Sequence, residues 1–159
     1  MTLIRFATPA DVPTILHFVR ELADYERALD KVVATQALLH DALFTSPPAA
    51  EALIAEIDGE AVGLALFFHN FSTWTGWRGL YLEDLYVTPA ARGTGVGKAL
   101  LKRLAQIAVE RGCGRFEWAV LDWNTPAQEF YKAMGATVMD DWRICRMAGD
   151  ALERLAGRD

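Results

Sequence analysis

The amino-acid sequence predicts a mixed α/β sheet covered by helices. Three observations carry that prediction. Short apolar runs alternate with stretches of helical apolar spacing, and the turn sequence Asp58-Gly59 joins two such runs. The run Tyr81 to Val87 leads through a glycine-rich segment, Arg92 to Gly97, straight into a helix-patterned stretch. With 159 residues, one domain over residues 1–159 accounts for the whole length.

Leu3 to Ala7 reads as the first strand. Thr8-Pro9-Ala10-Asp11 then supplies an N-cap, a proline at the first helical position and an acid in the first turn. Ile15, Phe18, Val19 and Leu22 recur at helical spacing, which carries that helix to Tyr25 or Glu26. A second helix starts after Thr35, with Leu38, Leu39, Ala42 and Leu43, and Ser46-Pro47-Pro48 ends it. Ala52 to Ile57 and Ala61 to Phe68 are two strands of a tight hairpin. Asn70 to Gly79, with Phe71, Trp74 and Trp77, is expected to be an aromatic loop, and Leu80 to Val87 the strand after it. From Val96 to Arg111, Leu100, Leu101, Leu104, Ile107 and Ala108 fall on one helix face. Phe116 to Leu121 is a further strand, and Asn124 caps a helix from Pro126 to Met134 that Gly135 stops. Thr137 to Met147 reads as strand, before a short terminal helix.

Lys and Arg number 16 against 21 Asp and Glu, a formal charge of −5 that argues against nucleic acid as a partner and permits a cationic one. Cys113 and Cys145, with His17, His40 and His69 scattered along the chain, have no metal-site spacing, so no metal is expected. No apolar run is long enough to span a bilayer, and Met1 to Phe6 lacks the layout of a signal peptide. The expectation is a cytoplasmic protein with two unpaired thiols and no membrane partner.

The segment Arg92-Gly93-Thr94-Gly95-Val96-Gly97 has the make-up of a pyrophosphate cradle. Glycine permits positive φ and brings backbone N–H groups close to a ligand, and the first helical turn adds unsatisfied donors at the positive end of the helix dipole. A nucleotide-triphosphate loop is excluded, because Arg92 and Ala99 stand where it needs a glycine and a Ser or Thr. The dinucleotide fingerprint fails at Lys98, where its third glycine belongs. An ordinary glycine-rich turn is the alternative. Arg92, Lys98, Lys102 and Arg103 gather basic charge around the loop, as a solvated helix face also would.

Glu83 and Asp84 interrupt an otherwise apolar strand. An unpaired carboxylate is costly to bury and Asp is a poor strand former, so a charge partner, a wet cleft or a chemical duty must retain them. A charged edge strand is the competing account. Acetylation of an amine explains the pair. With a lysine-like pKa of about 10.4, an amine must be held as a cation and then lose a proton before it attacks a thioester. The thiolate expelled afterwards needs a proton donor, for which Tyr131 is the candidate; alone, it reads equally as a packed tyrosine with a wet hydroxyl.

The loop Arg92 to Gly97, the strand Tyr81-Leu82-Glu83-Asp84, Trp123-Asn124, Phe130-Tyr131-Lys132 and Gly135-Ala136 together resemble the GNAT acetyltransferase superfamily, and within it the diamine and thialysine acetyltransferases. The resemblance runs from Ile4-Arg5 through Leu22-Ala23-Asp24-Tyr25-Glu26 to Trp142-Arg143, almost the whole chain. Ser72-Thr73-Trp74 and Ala119 to Asn124 are similar to the thialysine branch; Ser72 replaces an acid of the polyamine branch. The resemblance implies a single-domain acyl-CoA N-acyltransferase fold with a mostly antiparallel sheet. It implies acetyl-CoA as cosubstrate, a small primary amine as acceptor (thialysine-like or a di- or polyamine) and a homodimer. A protein amine as acceptor, or a non-catalytic acetyl-CoA-binding module, are the alternatives.

Position by position, the resemblance makes Tyr131 the general acid, beside the coenzyme, and Glu83 the acid that acts on the amine. It sets Leu85, Tyr86 and Val87 along the pantetheine arm, Arg92, Gly93, Thr94, Gly95, Val96, Gly97 and Lys98 at the diphosphate, and Asn124 in the coenzyme groove. Tyr25, Glu26, Trp74, Glu83, Asp84 and Trp142 line the acceptor pocket, some of them from the partner subunit; acid plus aromatic suits an amine, because ring faces attract cations.

Overall fold

A computed structural model describes residues 1–158 as two compact units, the first Met1–Ala119 and the second from Val120 onward. The first holds a five-stranded sheet in the order β1 (Thr2–Phe6), β2 (Glu51–Ile57), β3 (Glu60–Ser72), β4 (Trp77–Val87) and β5 (Phe116–Trp118). The first four strands are antiparallel neighbours, and β5 joins β4 in parallel. A parallel pair requires a crossover, which α3 (Val96–Glu110) supplies.

Helices α1 (Val12–Tyr25) and α2 (Gln36–Phe44) pack on one face of the sheet, where Ile15, Phe18 and Leu43 meet Ala52, Ile54, Leu64 and Tyr86. Gly63, next to Leu64 and therefore pointing to the other face, lies under α3: a Cβ there would sit 3.1 Å from Val96 and 3.2 Å from Leu100. Leu100, Leu101, Leu104, Ile107 and Ala108 bury the predicted face of α3.

Local signals set the element ends. The Asp58-Gly59 turn has both residues at positive φ, as a two-residue hairpin demands. Thr35 accepts the Leu38 amide at the start of α2, and Thr8 and Asp11 form a reciprocal capping box ahead of α1. Asp11 also takes two hydrogen bonds from Arg5, at 2.7 and 2.8 Å, while Arg5 Nε donates to Glu56 at 2.8 Å, so one guanidinium ties β1, β2 and the entry to α1.

At the carboxyl end of α3, Arg111 grips Glu51 of β2 in a bidentate pair at 2.6 and 3.0 Å and donates to His69 Nε2 at 2.9 Å. Arginine only donates, so Nε2 accepts and Nδ1 carries the proton that reaches the Gly79 carbonyl at 3.0 Å.

Three expectations need correction. The aromatic segment Asn70 to Gly79 is not an open loop: β3 runs to Ser72 and β4 starts at Trp77, leaving a short turn in which Ser72 Oγ accepts the amides of Trp74 and Thr75. Aromatic residues favour the pleated ladder, and this one extends to the Ser72–Trp77 pair. Thr137 to Met147 forms no strand, because a strand needs a neighbour for its amides and the described residues of the second unit contain none. The strand expected over Phe116 to Leu121 ends at Trp118, whose partner Leu82 is the last β4 residue before the register of that strand shifts. The second unit contains α4 (Thr125–Ala133), which Asn124 caps by accepting the Ala127 amide at 3.3 Å, and α5 (Gly149–Leu155).

Candidate active site

Strand β4 is bordered by β3 along its length but by β5 only as far as Leu82, so Glu83 and Asp84 begin the stretch where one side of β4 is open; Asp84 is nonetheless largely withdrawn from solvent, which a charge guarding an exposed edge would not be. Leu66 pairs with Asp84 and Phe67 with Leu82, which leaves Glu83 as the extra residue of a β-bulge. Asp84 shares its face with Tyr86, toward α1. Helix α1 ends in a Schellman-type closure: the Ala28 amide reaches the Ala23 carbonyl, the Arg27 amide reaches Asp24, and Arg27 adopts positive φ. That closure fixes the direction of Tyr25 and Glu26.

Glu26, Glu83 and Asp84 feel one another. Burial, then Glu83, then Glu26 push the Asp84 carboxyl up to about 6. Burial and then Glu83 raise Glu26. None of the three carboxylates has an ion pair or hydrogen bond among the described residues. Such a cluster is unfavourable in isolation and becomes favourable around a cation. Tyr81, which sequence reasoning did not single out, belongs to the same field: burial, Glu83 and Glu117 all raise its hydroxyl. Its spacing of two residues from Glu83 was the available signal.

The glycine segment follows β4 directly. Gly93 and Gly95 have φ of 78° and 92°, and Gly95 is the N-cap of α3. None of the amides of Gly93 to Lys98 makes a close, well-aligned hydrogen bond to a protein acceptor among the described residues. Consecutive free amides at a helix start form an anion cradle, a fit for the diphosphate of a coenzyme A thioester. The Val96 side chain is buried beneath the cradle and Gly97 faces Val87, so these two positions offer backbone to a ligand. A family model described as the acetyltransferase (GNAT) family matches residues 17–136, taking in the second half of α1, the acids and this loop. The chain belongs to the GNAT acetyltransferase family.

Individual relatives sharpen the picture of this N-acetyltransferase. A thialysine N-epsilon-acetyltransferase of Sus scrofa is 41% identical over 167 residues, covering 98% of each chain. An L-ornithine N5-acetyltransferase of Arabidopsis thaliana is 34% identical over 96% of this chain and 86% of its own. Among solved structures, an integron cassette protein from the mobile metagenome of V. cholerae matches with a TM-score of 0.80 at 28% identity, covering 98% of this chain and 97% of that one.

The remaining site residues of the acetyltransferase are distributed unevenly. Leu85 and Val87 are half-buried on β4, whereas Tyr86 turns its ring into the core, 5.2 Å from Phe18. Lys98 and Thr94 are exposed at the loop. Trp74 stands at the β3–β4 turn with Arg115 over its ring at 5.3 Å. At the rise of an extended strand, the six steps from Trp77 to Glu83 span roughly 20 Å, so within one chain Trp74 is not brought to the carboxylates. In the second unit Tyr131 sits in α4, its ring 5.6 Å from Phe130, and Asn124 uses its side-chain oxygen on the helix cap. Trp142 lies in the irregular segment before α5, its amide donating to Met139.

Proposed function

We propose that the enzyme transfers acetyl from acetyl-CoA to a primary amine of a small molecule, with a thialysine-like amino acid ahead of polyamines as acceptor. The observation that carries this reading is the trio Glu26, Glu83 and Asp84, three carboxylates without a protein cation, on the strand that enters a phosphate cradle. The names of the relatives, thialysine and ornithine acetyltransferases, support a distal amine on an amino acid as the acceptor.

Acetyl-CoA supplies the acyl group as an activated thioester. Glu26 and Asp84 hold the incoming ammonium, and Glu83, exposed at the bulge, begins its deprotonation through water. Amides from Gly93 to Lys98 hold the diphosphate, and the backbone of Leu85 to Val87 lies along the pantetheine arm. Tyr131 gives its proton to the departing thiolate, Asn124 borders the coenzyme, and Trp142 closes the acceptor side. Trp74 serves a partner subunit in a homodimer of single-domain chains, working in the cytoplasm without a metal. Among the described residues no helix is long and apolar enough to cross a membrane.

A steady-state thiol-release assay with thialysine, ornithine, lysine, putrescine, spermidine and an amino-terminal peptide tests the reading. Thialysine is expected to give the highest kcat/KM, and Tyr131→Phe to lower kcat about 100-fold. A peptide as best acceptor, or no amine-dependent thiol release, overturns the substrate assignment; an unchanged kcat in Tyr131→Phe overturns the acid role.

A further inference from the structure

Arg92 opens the phosphate cradle, yet its side chain turns away from it. Nε donates to the carbonyl of Val87, the last residue of β4, at 3.0 Å. The guanidinium carbon lies 5.9 Å from the centroid of the Tyr25 ring and 5.8 Å from that of Tyr86. Tyr86 is anchored in the core against Phe18, and Tyr25 is the exposed final residue of α1, directly before Glu26. One side chain therefore spans the exit of β4, the start of the cradle and the end of the helix that presents an acceptor carboxylate. The planar guanidinium suits this duty: it stacks on rings while its edge still donates, which a lysine ammonium cannot reproduce.

We infer that Arg92 is a positioning residue that couples occupation of the cradle to the geometry of the acceptor pocket, through Tyr25 and Glu26. The inference rests on the proposed function. A ligand on the amides after Arg92 orders the loop, the Arg92 stack then holds Tyr25, and Tyr25 holds Glu26 toward Glu83 and Asp84. Coupling between two sites is reciprocal, so the amine tightens the carrier by the same factor as the carrier tightens the amine.

Calorimetric titration of the full chain with thialysine, with and without saturating CoA, measures that factor. The wild type is expected to bind thialysine at least about fivefold more tightly with CoA present. Arg92→Lys and Tyr25→Leu are each expected to bring the factor below about twofold, Tyr25→Phe to keep it, and the double variant Arg92→Lys/Tyr25→Leu to lose no more than either alone. Tyr25 is exposed, so its variants test the stack even if Arg92→Lys is poorly folded. A merely structural Arg92 would lower the melting temperature and leave the factor intact. That result, additive losses in the double variant, or an uncoupled wild type that still acetylates thialysine, overturns the inference and leaves the function standing. A wild type that neither binds nor acetylates thialysine overturns both.

Discussion

Glu83 and Asp84 are consecutive in the chain, but only Asp84 has a partner across the sheet: it faces Leu66, while Glu83 occupies the bulge with none. The bulge interrupts the alternation that would send two successive side chains to opposite faces, and it lets two carboxylates interact just past Leu82, the last β4 residue paired with β5.

Glu83→Gln keeps the size of the side chain and removes its basicity. It is expected to lower kcat/KM for the amine about 100-fold, within the span usual for a general base, and to leave the CoA dissociation constant within about twofold. Steady-state kinetics together with calorimetry on CoA separates the two effects.

Asp84 makes stability depend on pH. Its folded-state value of about 6 lies above the ordinary carboxylate value of 3.8, so between those values the folded protein binds more protons than the unfolded chain. Stability without substrate is therefore expected to fall as pH rises from about 4 to about 6, by no more than about 3 kcal/mol. Asp84→Asn is expected to flatten that slope and to be the more stable form at pH 7. Urea unfolding across this range provides the measurement, and equal slopes in the two proteins would refute the assignment.

The opposite sign applies to Asp11. The Arg5 guanidinium, working against burial and helped by Thr8, holds it down to about 2. Its contribution is present above the unfolded value near 4 and disappears as pH falls toward 2. Asp11→Asn is expected to cost about 2 kcal/mol at pH 7. The gap between wild type and variant should close in acid, as denaturant midpoints at pH 7 and pH 3 would reveal.

Gly95→Ala isolates backbone conformation from crowding, since a Cβ there meets nothing within 4 Å but φ is 92°. The expected cost is about 1 kcal/mol of stability. A loss of roughly tenfold in CoA affinity should accompany it as the cradle amides turn away. An unchanged CoA titration would show that the loop does not rely on this conformation.

Local chemistry made much of the fold legible. Thr35 and Asn124 cap the helices they precede, and Asp58-Gly59 makes the tight turn, because each effect acts within a few residues. The glycine segment was readable for the same reason. The bulge at Glu83 was not, since it depends on which β3 residues lie opposite, and periodicity in β4 alone carries no register. Glu26 and Tyr25 entered the candidate pocket only through resemblance. Nothing in their own segment announces that α1 ends beside the β4 acids, which is a matter of how a helix packs on a sheet. The strand expected over Thr137 to Met147 shows the limit from the other side: apolar, strand-favouring residues acquire strand geometry only where a neighbour accepts their amides.

The Arg111 clasp has a mechanical consequence. With its carboxyl end roped to Glu51 and His69 and its amino end seated by Val96 under the sheet, α3 is a post driven in at both ends. It cannot slide toward an anion that arrives at its tip. An incoming anion would therefore meet a stationary dipole, and any accommodation would fall to Gly93, Thr94 and Gly95, since Arg92 is itself tied to Val87.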